Sequence, residues 1–263
     1  MFSKFKQILS LELQDLNEYK GDLFIYTFTP FILTLVLMVV WLSVLDFSSG
    51  NNAEKSYIVS YFFFQLIVAR LVGAWHAPYL GEKIRQGDVS KYLLKPASFI
   101  WYDIAENIVE KIWKITFSLP LYIIIGYFLR RNLFISWENI LPFLVSLIGA
   151  MIIYFLIEHL IGLSAFWLSE TGAIDSYNEV FFFITSGKLF PLSYVTKLIP
   201  LGVINILPYK YMLGFPLDVL LGKTTGQTLW SDFGMQFVWV VGLILLYKVV
   251  WSKGLQKYGG YGG

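Results

Sequence analysis

Few residues in this 263-residue chain have the chemistry for catalysis or metal binding, and their spacing excludes most such roles. Gly222-Lys223-Thr224 has the form of the end of a phosphate-binding loop, but that loop needs a glycine five positions before Gly222, where Leu217 stands. No nucleotide site is read there. The chain has two histidines, His76 and His159, and no cysteine, and neither histidine has a second ligand at helical spacing, so no metal site is expected. No serine sits in a nucleophile elbow. Four ionisable residues interrupt otherwise apolar stretches: Arg70 and His76 in one, Glu158 and His159 in another. Charges at membrane depth are costly and by default mark function. A relay through Arg70 and Glu158 is one reading. With a single acid and a single base near mid-membrane, the preferred reading is structural: the two pair inside a bundle, or face a water-filled cleft or a subunit interface. His76, near the inner end of its stretch, reads as a hydrogen-bonded helix-end residue.

The densest polar chemistry lies in one short segment, Gly81 to Pro96. Glu82, Lys83, Arg85, Gln86, Asp88 and Lys91 alternate there with the apolar Ile84, Val89, Tyr92 and Leu93. A solvated charged loop is the plain alternative. Mixed charge around apolar anchors favours a docking helix, since helices dock by laying one face into a groove.

Composition says what positions that segment. Apolar residues make up 57% of the chain and charged residues 14%, with a mean hydropathy of +0.63. Soluble domains sit nearer 45–50% and about 25%. The 19% aromatic content suits lipid-facing Phe and interfacial Trp and Tyr. A net charge of +2 gives no reason to expect nucleic acid. The absence of cysteine rules out disulfides and is compatible with a bacterial inner membrane. Residues Met1–Lys20 alternate apolar and charged types, so they read as an amphipathic interfacial helix rather than a cleavable signal.

Six hydrophobic spans are expected, at roughly Leu23–Leu45, Tyr57–Tyr79, Ile112–Leu129, Ile140–Leu168, Tyr177–Phe190 and Leu229–Val250. A second amphipathic stretch precedes the third, with Trp101, Ile104, Ile108 and Ile112 on one face and Asp103, Glu106, Glu110 and Lys114 on the other. The fifth span is short for a bilayer that needs about 20 residues. It is followed by Pro191, Pro200, Pro208 and Pro216, so broken or re-entrant helices are expected over 191–228. With both termini cytoplasmic, twelve basic residues lie inside and seven outside, with Arg70 left within span 2, and Lys83–Lys95 falls in a short inner loop. The whole chain reads as one all-α, polytopic transmembrane domain embedded in a lipid bilayer.

The run Ile84-Arg85-Gln86-Gly87-Asp88-Val89-Ser90-Lys91-Tyr92-Leu93-Leu94-Lys95-Pro96 is similar to the I-x-x-G … L-L-[RK]-P signature of type-2 ABC exporter permeases. The bacterial subgroup of about 260 residues, often encoded as paired permeases beside an ATPase, gives the nearest resemblance. Ala165-Phe166-Trp167 with Glu170, Ser186-Gly187-Lys188-Leu189-Phe190-Pro191-Leu192, Leu207-Pro208-Tyr209, Phe215-Pro216 and the tail Lys257-Tyr258-Gly259-Gly260 follow the family in order. Lys188 stands where an uncharged residue is the family pattern.

The resemblance implies an interfacial N-terminal helix and six spans, with a coupling helix between spans 2 and 3. It also implies extracellular half-helices between spans 5 and 6, and two permease subunits, identical or paralogous, on two ABC ATPase subunits. ATP and magnesium would then be bound by the ATPase, this chain holding no cofactor and catalysing nothing itself. Glu82, Lys83, Ile84, Arg85, Asp88, Val89, Lys91, Tyr92 and Leu93 would contact the ATPase, and an amphipathic substrate would leave the cytoplasm as the two permeases rock. A stand-alone membrane enzyme or ion-coupled transporter is the rival reading. The first requires clustered polar groups near a membrane face. The second usually has paired broken spans and several buried acids. Neither pattern is present.

Overall fold

The computed structural model describes residue 9 and residues 20–47, 51–74, 76–95, 97–194 and 201–258. The interfacial helix expected over the first twenty residues falls almost wholly outside these, as do Pro96 and the tail from 259. Apolar composition dictates the rest: in a bilayer every backbone N–H and C=O must be satisfied within its own segment, so long apolar runs become helices. Among the described residues, five helices are long and apolar enough to cross a membrane.

Helix α1 spans Lys20–Phe47 and carries Pro30 in its interior. Ile32, Val36, Val39 and Val44 face outward, while Phe31 and Met38 pack inward. Helix α2, Asn52–Val72, begins at Asn51, whose Oδ1 accepts a hydrogen bond from the backbone N–H of Glu54 at 2.9 Å. Such a cap satisfies an orphan amide of the first turn. This helix is the centre of the molecule, with Tyr57, Ile58, Tyr61 and Phe62 all buried. The expected second span ran on to Tyr79. The helix instead stops at Val72, residues 73, 74 and 76 are non-helical, and a separate short helix follows, α3, Ala77–Arg85, with a proline in its first turn. Proline has no amide to donate and is suited to that position, so it starts a new helix rather than extending the old one.

Helix α4, Val89–Leu93, follows, then α5, Phe99–Leu129. The expected amphipathic stretch and third span are one continuous helix. At 1.5 Å per residue it is about 46 Å long, longer than the roughly 30 Å hydrocarbon core, so its first turns stand beyond the membrane. The two expected faces of those turns are only partly separated. Asp103, Asn107 and Lys111, four residues apart, are buried together with Ala105 and Val109, while Trp101 and Ile112 are exposed. Of the expected polar face only Asp103 is buried; Glu106, Glu110 and Lys114 are half-buried.

Helix α6, Ile140–Leu163, continues through a short 3-10 turn at Ser164–Phe166. Helix α7, Gly172–Thr185, occupies the expected fifth span but has only 14 residues, about 21 Å, and does not reach across the core. Among the described residues, five long helices and this half-length one stand at the six expected spans, the fifth short as expected. Beyond α7 the chain breaks up as its prolines dictate: 3-10 turns at Leu192–Tyr194 and Pro208–Met212, and two short helices, α8, Leu201–Ile206, and α9, Gly214–Leu220. Helix α9 is buried along its length, including Phe215, Leu217 and Val219. Helix α10, Gly226–Tyr258, packs along α6 and ends the described chain.

Candidate functional site

The candidate docking segment is a helix–turn–helix held against the C-terminal ends of α6 and α10. Gly87 makes the turn. Its φ of 83° lies in the left-handed region that side chains avoid. The Gly87 amide donates to Ile84 O and the Asp88 amide to Lys83 O, closing α3 with the paired bonds of a glycine C-terminal cap. Ser90 Oγ donates to Gly87 O at 2.7 Å, and Lys91 Nζ donates to Asp88 Oδ1 at 2.5 Å. That hydrogen bond and the charge of Asp88 hold the Lys91 ammonium above its usual pKa.

The segment's nine candidate contact residues divide into two sets. Glu82, Arg85 and Lys91 are exposed, Asp88 is partly so, and Leu93 retains 49% exposure. Ile84 and Val89 point the other way, buried in an apolar cluster with Leu80, Phe99, Leu163 and Phe166. Within this chain these two side chains hold the segment to its own bundle. Tyr92 is half-buried, its ring edge-on to Phe99 and Tyr102 with Lys95 Nζ 4.2 Å above it. Lys83 is turned to α5, with Nζ 3.1 Å from Glu106 Oε2 and 3.9 Å from Asp103 Oδ1. The reading missed Leu94, which is 90% exposed beside Leu93 and makes the segment's apolar tip. The doubled leucine was visible in the sequence, but only the turn at Gly87 decides which apolar residues face out.

Two more chain segments complete the surface. Gly162 of α6 lies directly under Leu80, where even a β-carbon would meet that side chain at 2.7 Å, so α3 and α6 approach closely. Tyr258, at the end of α10, accepts a hydrogen bond from the Ser90 amide at 3.3 Å. A groove of about 1000 Å³ opens between these parts, lined by Arg85, Gln86, Ser90, Phe166, Trp167 and Tyr258 among others.

The intramembrane polar residues are not arranged as expected. Arg70 and Glu158 do not pair with one another. Glu158 is 2% exposed and accepts from Asn178 Nδ2 at 3.2 Å, while the Arg70 guanidinium lies 5.9 Å from the Phe31 ring centre on the other side of α2. The separation has a plain cause: Arg70 sits near the end of α2 toward α1 and α5, whereas Glu158 faces α7. His76 immediately precedes α3 and stacks on Phe155. It also lies 5.6 Å, ring to ring, from His159. His159 is fully buried, with Nδ1 3.4 Å from Asp103 Oδ2. Among the described residues, no group of three or more His, Cys, Asp or Glu side chains is gathered to hold a metal ion.

Residues 25–262 match the family model described as ABC-2 family transporter protein, so the chain belongs to that family. No curated protein matches it. Membership makes it a multi-pass membrane component of an ABC transporter, a permease whose transporter includes an ATPase.

Proposed function

We propose that this chain is the membrane-spanning subunit of an ATP-driven exporter and that a separate ATPase docks on the outward face of the 82–95 segment. ATP and magnesium reside in that ATPase. Two permease copies, or this chain and a paralogue, move an amphipathic substrate out of a bacterial cytoplasm by shifting between two packings of the bundle. One observation carries the reading. The segment presents the exposed Glu82, Arg85, Lys91, Leu93 and Leu94 while Ile84, Val89 and Leu80 clamp its back to the bundle. A pre-ordered patch with an apolar tip inside a charged rim is the composition of an interface centre.

Truncating a dominant interface anchor typically costs about 2 kcal/mol or more, roughly 30-fold in affinity. Leu94→Ala, and reversal of charge at Arg85 and Asp88, should weaken co-purification of the ATPase by that order while the permease still inserts. Tyr92→Ala tests the same face from its half-buried edge. Full complex formation by all of these variants would mean that the ATPase docks elsewhere on the chain.

The same reading places both termini in the cytoplasm, at the inner membrane. Because the chain has no cysteine, single introduced cysteines report sidedness cleanly. Cysteines at the exposed Asn52 and Asn132 should label with an impermeant reagent in intact cells, and one at Gln86 should not. Labelling at Gln86 alone would invert the topology.

A further inference from the structure

The docking segment lies between two sets of non-helical residues, 73, 74 and 76 on one side and 94, 95, 97 and 98 on the other. A rigid piece on two joints passes on a push only through side-chain ties to the bundle, since otherwise the joints absorb the displacement. Among the described residues, three ties are present besides the contacts of Tyr92 and Lys95 with the Tyr102 ring of α5. The first is the apolar back of the segment, with Leu80 over Gly162. The second is the Tyr258 contact to the Ser90 amide. The third is polar and meets at one residue, Asp103.

Asp103 is 3% exposed on α5. One carboxylate oxygen faces Lys83 Nζ of α3 at 3.9 Å, and the other lies 3.4 Å from His159 Nδ1 of α6 without a hydrogen bond between them. Glu106, one turn on, holds the same ammonium at 3.1 Å. Three elements therefore meet at one buried carboxylate: the docking segment, the long helix α5 and the membrane helix α6.

An apolar contact of the same area would stabilise the fold at least as well, because buried ion pairs are poor stabilisers once desolvation is counted. An apolar patch can slide, whereas a charged contact fixes a register. Helix α5 is continuous from this contact through the bilayer, so a displacement of Asp103 displaces the whole helix.

We propose that Asp103 is the positioning residue that carries movement of the docking segment into α5 and α6, with Lys83 as its counterpart on the segment. The proposal rests on the docking reading above. It assigns Asp103 to transmission rather than to binding of the ATPase.

The test uses the complete permease–ATPase complex in lipid nanodiscs and needs no knowledge of the substrate. Ser176→Cys on the exposed side of α7 serves as the only thiol in the permease, and its maleimide labelling rate is measured with and without ATP and vanadate. In the otherwise unaltered complex the nucleotide should change this rate by about fivefold or more, the lower end of ordinary allosteric coupling. Asp103→Asn and Lys83→Gln should each abolish the change while ATPase binding and ATP hydrolysis persist. Lys83→Arg, which keeps the charge, should preserve it.

A nucleotide-dependent change retained in Asp103→Asn or Lys83→Gln overturns the proposal, as does its absence from the unaltered complex. If Asp103→Asn fails to insert, the contrast between inserted Lys83→Gln and Lys83→Arg decides, Lys83 keeping 27% of its side chain exposed. Failure of the unaltered permease to bind the ATPase sinks the docking reading instead, a result separate from any of these.

Discussion

Lys210→Met should destabilise the protein by about 3–5 kcal/mol, the usual cost of removing one partner from a buried ion pair. Lys210 lies in the 3-10 turn Pro208–Met212, and its Nζ is 2.7 Å from Asp232 Oδ1 in the second turn of α10 and 2.8 Å from Asn205 Oδ1 in α8. Both charged side chains are only 13% exposed. Tyr211 closes the same cluster, donating to Asn205 O at 2.7 Å, with its hydroxyl also 3.5 Å from Asp232 Oδ1. Without the ammonium, Asp232 keeps its buried charge and loses its cation. The short helices α8 and α9 then lose the polar tie that fixes them to α10. Removing both charges, by Lys210→Met with Asp232→Leu, should recover most of the loss, since no unpaired charge remains. Thermal unfolding of the purified variants in detergent separates the cases. A single variant as stable as the native protein would show the pair to be solvent-screened, where such pairs are worth about 1 kcal/mol or less.

That cluster also shows where the sequence stops being informative. The prolines after Leu189 announced broken helices, and short helices are what the chain forms there, because proline removes a backbone donor wherever it falls. Long apolar runs were equally legible: α1, the membrane part of α5, α6 and α10 lie close to their expected bounds, since hydropathy and backbone satisfaction are properties of a single segment. Contacts between segments were not legible. The polar face Asp103, Glu106, Glu110 and Lys114 was visible as a stripe, but a stripe states which side is polar, not what that side touches. Only the approach of α3 and α6 makes Asp103 a buried junction. Ile84 and Val89 looked like free anchors for the same reason; the left-handed turn at Gly87 directs them inward and leaves Leu94 at the tip. Arg70 and Glu158 matched in charge and depth, yet α2 and α6 present them to different neighbours. Family resemblance supplied the order of elements and membership, but no pairwise contact.

Gly187→Ala is expected to be the most damaging small substitution in the chain, because two independent costs fall on one residue. Gly187 sits in the turn Ser186-Gly187-Lys188 after α7 with φ of 94°, a conformation that disfavours any L side chain. Adopting a left-handed backbone costs a non-glycine residue roughly 1–2 kcal/mol. The second cost is steric. A β-carbon there would collide with the Tyr61 hydroxyl and lie 3.2 Å from Gly214 Cα. Neither neighbour is free to retreat. Tyr61 is fully buried in α2 and donates its hydroxyl to Gly187 O at 2.8 Å, and the Gly214 amide donates to Ser186 O at 2.7 Å at the start of α9. Overpacking a tight site costs about 1–3 kcal/mol more. The turn thus joins the end of α7, the central helix α2 and the buried short helix α9, so strain here loosens three elements together. Tyr61→Phe provides the control: it removes the hydroxyl that meets the new methyl, so in the Gly187→Ala background it should relieve the steric part and leave the backbone part. Unfolding of the single and double variants in the same detergent gives both terms. If Gly187→Ala unfolds at the native temperature, the left-handed turn is not what holds α7 to α9, and the outer helices are fixed by the Lys210 cluster alone.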